Sequence, residues 1–183
     1  MIMNQPVFVA GTGIISAIGN NVAQCLDALE NGREGMGEMH YLESIHRQRL
    51  PVAEVKLSNE ELAQLSGLPK SKSRTALLSL VAAKEALANA NIENLHNLRC
   101  GFISANSVGG MDKTEFFFNE FITNNTKGRL RNVINHECGS ITELVADALG
   151  IKDYITTIST ACSSSANSIF LGARLIRNNI VDV

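Results

Sequence analysis

The chain has 183 residues, enough to bury a core as one domain, and its balance of 45% hydrophobic to 19% charged residues fits an ordered globular protein. A net charge of −2 leaves no electrostatic footprint for nucleic acid, no apolar run is long enough to span a bilayer, and the start lacks the basic and apolar regions of a secretory signal. Cys25, Cys100, Cys138 and Cys162 lie far apart, with no C-x-x-C pair and no zinc-type Cys/His spacing, which points to reduced thiols in the cytoplasm and to no metal site.

Val7-Phe8-Val9-Ala10 reads as a short buried strand that runs into the turn Gly11-Thr12-Gly13. A G-x-G after a strand invites a dinucleotide-binding reading. Ser16 stands where the third glycine would fall, however, and no acidic residue closes a second strand, so glycines that permit a sharp turn are the better account. Asn20 or Asn21 caps a helix with Val22, Cys25, Leu26 and Leu29 on its apolar face, and Gly32 ends it. Residues 35–51 read as loop, with His40 and His46 at a spacing that does not place two ligands on one helix face. Ser58 and Glu61 form a capping box that opens a short helix, stopped before Gly67 and Pro69. A longer helix spans about 73–90, with Ala76, Leu80, Ala83, Leu87 and Ala90 in one stripe. Its other positions are mostly small or apolar, which implies cover on more than one side.

Residues 99–104 read as the next strand and 105–110 as a flexible, glycine-containing loop. Asp112 and Glu115 start a helix carrying Phe116, Phe117, Phe118 and Phe121. Three consecutive neighbours cannot share one helix face, so either one of them meets a different surface, such as a partner chain, or the helix is buried between layers. Residues 124–132 form a polar, basic linker. A helix over 139–149 has Ile141, Leu144, Val145 and Ala148 on one face and Gly150 as its stop. The β-branched run 154–158 is a strand, a helix follows through 178 with Ala166, Ile169, Phe170, Ala173 and Ile176 as its apolar face, and 180–183 look like the opening of another strand. Strands alternate with helices, which argues for an α/β domain around a mostly parallel sheet. A parallel strand with no helix to cover it is expected to belong to something longer.

Thr160-Ala161-Cys162-Ser163-Ser164-Ser165 links that last strand to its helix and places Cys162 at a strand-to-helix elbow. Unpaired amides at a helix start favour an anion, which suits a nucleophilic thiolate. The alternative is a buried cysteine packed as a small hydrophobe. A nucleophilic thiol needs a base and an oxyanion site. None of His40, His46, His96 and His136 lies in a motif that ties it to Cys162, and nothing matches the local signatures of Cys-His proteases.

The stretches 9–20 (Val-Ala-Gly-Thr-Gly-Ile-Ile-Ser-Ala-Ile-Gly-Asn), Ser107-Val108-Gly109-Gly110, 160–169, Ala173-Arg174-Leu175-Ile176 and Val181-Asp182-Val183, in that order, resemble the amino-terminal half of the β-ketoacyl-acyl-carrier-protein synthases, condensing enzymes of the thiolase-like fold. The resemblance implies a five-layer α-β-α-β-α architecture with a mostly parallel mixed sheet. This chain, 1–183, would be a truncated amino-terminal domain without the carboxyl-terminal half. It implies Cys162 as the nucleophile that takes an acyl group from carrier-protein phosphopantetheine, with its backbone amide as one oxyanion donor. It implies Val108 as a residue at the wall of the acyl pocket. No bound cofactor is expected, since substrates arrive on the carrier protein. The partners implied are acyl carrier protein and either a second copy, paired through about 154–159, or a complementing carboxyl-terminal half. The family's two catalytic histidines belong to carboxyl-terminal motifs, and His96 and His136 match neither. Lys152-Asp153-Tyr154 stands where the family usually has Gly-Pro. A non-catalytic chain-length or assembly subunit is the alternative function, against which the retained Cys162 argues.

Overall fold

A computed structural model describes residues 6–183, and they divide into two compact units, each described by itself. Ala10–Lys72 and Leu77–Glu93 form one unit. Ser73–Ala76 and Asn94–Val183 form the other, with the described residues before Ala10.

In the first of these, helix α1 spans Val22–Glu30. Asn21 is its cap: the backbone there is extended and the side chain accepts the Gln24 N–H. Cys25 and Ala28 are the buried residues of α1, whereas Leu26 and Leu29 of the expected face are exposed. The cause is a close approach of backbone. A Cβ on Gly19 would lie 2.6 Å from Cys25 N, and Ser16 Oγ sits 3.3 Å from Cys25 Sγ, so the small side chains turn inward. The loop that follows is tied by an antiparallel bridge between Gly37 and Val52. Glu54 accepts the backbone N–H groups of His40, Tyr41 and Leu42; burial works to raise its carboxyl, and these donors outweigh it and hold the group below its ordinary value.

Helix α2, Asn59–Ser66, has the expected capping box, with Ser58 and Glu61 bonding reciprocally, and Gly67 closes it in the left-handed conformation at φ 76°. Helix α3 spans Arg74–Asn89. Leu62, Leu77 and Leu80 are fully buried, each contributing about 1.5–3 kcal/mol relative to exposure. The Gly11–Gly13 turn lies against α3 so closely that a Cβ on Gly13 would fall 2.0 Å from Ala82 O, and one on Gly11 2.2 Å from Ala86 O. Glu85 accepts the N–H groups of Ile14 (2.9 Å) and Val22 (2.8 Å), and Asn89 Nδ2 donates to Thr12 O at 2.6 Å. The glycines therefore serve backbone packing, and the space a dinucleotide phosphate would need beside them is filled by the helix.

The strand expected over 7–10 is not formed. The described residues there make no ladder, and Phe8 and Val9 are both 80% exposed. Apolar β-branched residues favour a strand only where another strand lies alongside to pair with.

In the second unit, β1 (Gly101–Ala105) and β2 (Tyr154–Ile158) pair in parallel, with Gly101 opposite Tyr154 and Ala105 opposite Ile158. Around them are α4 (Met111–Thr123), α5 (Cys138–Leu149) and α6 (Ser164–Arg177). Cys100, Ala146 and Ile151 form a core with Leu95, Leu98, Phe102, Leu149 and Val183 packed against it. Residues 182–183 run along β1 in the hydrogen-bonding pattern of an opening strand, Asp182 N donating to Arg99 O (2.7 Å) and Gly101 N to Val183 O (2.8 Å).

Three helix faces differ from expectation. On α5, Ile141 and Val145 are buried as anticipated, but Thr142 and Ala146 join them and Ala148 is exposed. The helix is turned so that the Thr142 hydroxyl meets Thr157 on β2. On α6, Ile169 and Phe170 are exposed, while Ser164 and Leu175 are buried. Gly172 presents backbone to the sheet, and a Cβ there would stand 3.6 Å from Ile103 Cδ1, in ordinary contact. On α4 no residue is buried within this chain, so its cover between layers is not supplied by the described residues. Phe117 stacks on Phe121 at 5.5 Å and lies over Gly128, while Phe116 and Phe118 face outward.

Candidate functional site

The elbow is built by hydroxyl and amide side chains. After β2 the chain makes a single 3-10 turn, Ala161–Ser163, before entering α6. Ala161 has φ 50°, a left-handed conformation that costs a residue with a Cβ about 1–2 kcal/mol. Three side chains brace the turn around it. Ser164 Oγ accepts from Thr160 N (2.9 Å) and donates to Ala161 O (2.7 Å). Ser163 Oγ donates to Thr160 O at 2.8 Å, and Asn167 Nδ2 donates to Thr160 Oγ1 at 2.9 Å. Ser and Asn side chains compete with backbone partners at such positions, which is why a run of them supports a turn instead of a longer strand.

Cys162 stands at the centre of this turn and is exposed, so the reading of it as a packed hydrophobe does not hold. Among the described residues its amide N–H has no hydrogen-bond acceptor. The other thiols differ. Cys25 and Cys100 are buried and Cys138 is half-buried. Burial pushes the Cys100 thiol up, and the nearby carboxylates of Asp153 and Asp182 push it further.

Val108 lines an open surface recess of about 420 Å³ with Ser107, Met111, His136, Glu137, Cys138 and Gly139. The recess lies between the end of β1 and the first turn of α5. Asn106 holds the loop there through its side-chain oxygen, which accepts from Val108 N at 3.2 Å, and His136 Nδ1 is 3.0 Å from Thr114 Oγ1. Cys162 does not line this recess. His40, His46, His96 and His136 are all exposed. Among the described residues no group of three or more His, Cys, Asp or Glu side chains could hold a metal ion.

Sequence reasoning named the elbow and Val108 but not the roles of Ser164 and Asn167 or the His136–Cys138 wall of the recess. A Thr followed by Ser at i+3 and i+4 and Asn at i+7 is a signal for the clamp. Nothing local marks the recess wall, which sequence separates from Val108.

The parallel strands β1 and β2, and the strand–helix elbow with its exposed cysteine, are the frame of the site. The chain belongs to the family described as beta-ketoacyl synthase, N-terminal domain, whose family model matches residues 4–183. It is 27% identical over 110 residues to the 3-oxoacyl-[acyl-carrier-protein] synthase 1 of Buchnera aphidicola subsp. Schizaphis graminum (strain Sg), a match covering 58% of this chain and 27% of that protein. Its fold is that of the thiolase-like ketosynthases. It superimposes on the ishigamide ketosynthase/chain length factor with a TM-score of 0.81 at 19% identity, over 93% of this chain and 44% of that one. It also matches a ketosynthase in complex with its chain length factor from Xenorhabdus doucetiae, with a TM-score of 0.70 at 23% identity, over 95% of this chain and 44% of that one. The chain thus spans less than half the length of these relatives.

Proposed function

We propose that this chain supplies the nucleophile half of a 3-oxoacyl-acyl-carrier-protein synthase, an acyltransferase acting in the cytoplasm in fatty-acid or polyketide-type synthesis. The observation that carries the reading is the exposed Cys162 at the strand–helix elbow of a chain whose family match runs through it. The Cys162 thiolate attacks the thioester carbonyl of an acyl chain carried by acyl carrier protein. The Cys162 amide N–H donates to the oxyanion, and the pantetheine thiol leaves, so that the acyl group becomes a Cys162 thioester. Malonyl-carrier protein then loses carbon dioxide. The resulting carbanion attacks the Cys162 thioester, a carbon–carbon bond forms, and Cys162 leaves as the thiolate. Val108 and the recess it lines are the proposed limit on the acyl chain. The names of the relatives support a carrier protein and a second ketosynthase-like subunit as partners. Pairing with a second copy is assigned to the β2 side of the sheet at about 154–159, and a complementing carboxyl-terminal half is the alternative partner.

The presence of chain length factors beside ketosynthases among the structural relatives keeps a non-catalytic, chain-length subunit as the second reading. One experiment separates them. The chain is incubated with an acyl-carrier protein thioester, and its intact mass is followed for the wild type and for Cys162→Ala. Acyl transfer to the wild type alone supports the enzymatic reading; no transfer, with iodoacetamide labelling no faster than that of glutathione, overturns it. The family's catalytic histidines match no position in 1–183, so acylation without release of ketoacyl product is expected of this chain by itself.

A further inference from the structure

Within the clamp, one side chain holds both sides of the strained residue. Ser164 is 4% exposed. Its hydroxyl accepts the Thr160 N–H on the strand side of the turn and donates to the Ala161 C=O within it, so its proton and one lone pair both go to the two residues at the left-handed φ. Ser163 and Asn167 act differently: both gather on Thr160 from the exposed side and neither bonds to Ala161. Ala161 immediately precedes Cys162, and its φ and ψ decide where the Cys162 Cα–Cβ bond points.

We infer that Ser164 is a positioning residue for Cys162, its hydroxyl pinning Ala161 in the left-handed conformation that presents the thiol. The inference rests on the reading of Cys162 as the nucleophile. An alanine at 164 offers no acceptor to Thr160 N–H and no donor to Ala161 C=O. Ala161 is then free to relax to the right-handed region, and the thiol turns with it. Presentation of a nucleophile is sensitive to displacements of this size, since misplacement by about 1 Å costs up to about a hundredfold in rate.

The test compares the wild-type chain with Ser164→Ala, Ser164→Thr and the exposed control Ser165→Ala. It reads the rate of iodoacetamide labelling at Cys162 by peptide mass and the hydrogen exchange of the Thr160 amide. The expected result is a loss of about tenfold in rate for Ser164→Ala. Ser164→Thr, which keeps the hydroxyl, stays within about threefold of the wild type, and Ser165→Ala is unchanged. The Thr160 amide loses protection in Ser164→Ala and keeps it in Ser164→Thr. If Ser164→Ala does not fold, Ala161→Gly in that background is used, because glycine takes positive φ without penalty; a labelling rate restored toward the wild type supports the pinning. Labelling of Ser164→Ala as fast as the wild type, with the Thr160 amide still protected, overturns the inference. A wild-type thiol no more reactive than glutathione sinks the acyl-transfer reading instead, and the hold of Ser164 on the turn is then decided by the Thr160 amide alone.

Discussion

The hydroxyls of Thr142 on α5 and Thr157 on β2 meet at 2.6 Å, and Thr142 is 1% exposed. This bond fixes the rotation of α5 on the sheet and thereby the position of its start, where Cys138, with Glu137 and His136 just before it, walls the recess. Replacing one partner leaves the other hydroxyl without its bond. Thr142→Val is expected to cost about 1–3 kcal/mol in urea denaturation, and the double variant with Thr157→Val to recover much of it. A double-mutant cycle with strictly additive losses would count against the pairing.

The ion pair between Arg99 and Asp182 makes part of the stability acid-sensitive. The Arg99 side chain first, and then its backbone N–H, hold the Asp182 carboxyl down to about 2 from 3.8. A carboxyl lowered in the folded state stabilises above its unfolded pKa of about 3.9, and that contribution is lost as pH falls through the folded value. Both side chains are exposed, so salt screens the effect. Asp182→Asn is expected to lower the urea midpoint above about pH 4 and to match the wild type near pH 2. Parallel curves across that range would refute the assignment.

Two glycines should respond to alanine with opposite signs. At Gly13 the new methyl would meet Ala82 O at 2.0 Å and Ala86 N at 2.7 Å, both backbone atoms that cannot swing aside. Gly13→Ala is expected to cost about 3 kcal/mol. At Gly172 the methyl meets Ile103 Cδ1 at 3.6 Å, an ordinary contact, inside α6. Gly172→Ala is expected to gain about 0.5–1 kcal/mol from helix propensity. Thermal denaturation reads both as a fall and a rise in Tm.

The capping box of α2 offers a local test. Ser58→Ala removes the acceptor for Glu61 N–H, which lies 3.1 Å away. The expected loss is about 0.5–2 kcal/mol. Ser58→Asp, which keeps an acceptor, should lose little. An equal loss for both substitutions would show that the hydroxyl serves something other than the cap.

Signals carried by a few adjacent residues were legible in the sequence. Ser58 and Glu61, the stops at Gly67 and Gly150, the bounds of β2 and the elbow at Cys162 all fall where local chemistry places them. Helix faces were read less well. Of the expected faces Cys25 is buried, but Leu26, Leu29, Ile169 and Phe170 are exposed, and the fold buries Ala28, Ser164 and Leu175, which hydrophobic periodicity did not single out. The strand over 7–10 failed for a different reason: pairing depends on a neighbour that a run of apolar residues does not specify. In the site, Cys162 was visible from its flanks, but the work of Ser164 depends on the positive φ of Ala161, which no residue type there announces.

The close seat of α6 on β1 has a mechanical consequence. The inward residues Ser164 and Gly172 have little or no side chain to rearrange, and Gly172 faces Ile103 with backbone alone. No rotamer change on these two residues can lengthen or shorten the gap between helix and sheet. At these two points the helix sits like a fixture bolted without shims, and what adjustment its seat allows belongs to larger side chains such as Ile103 and the buried Leu175.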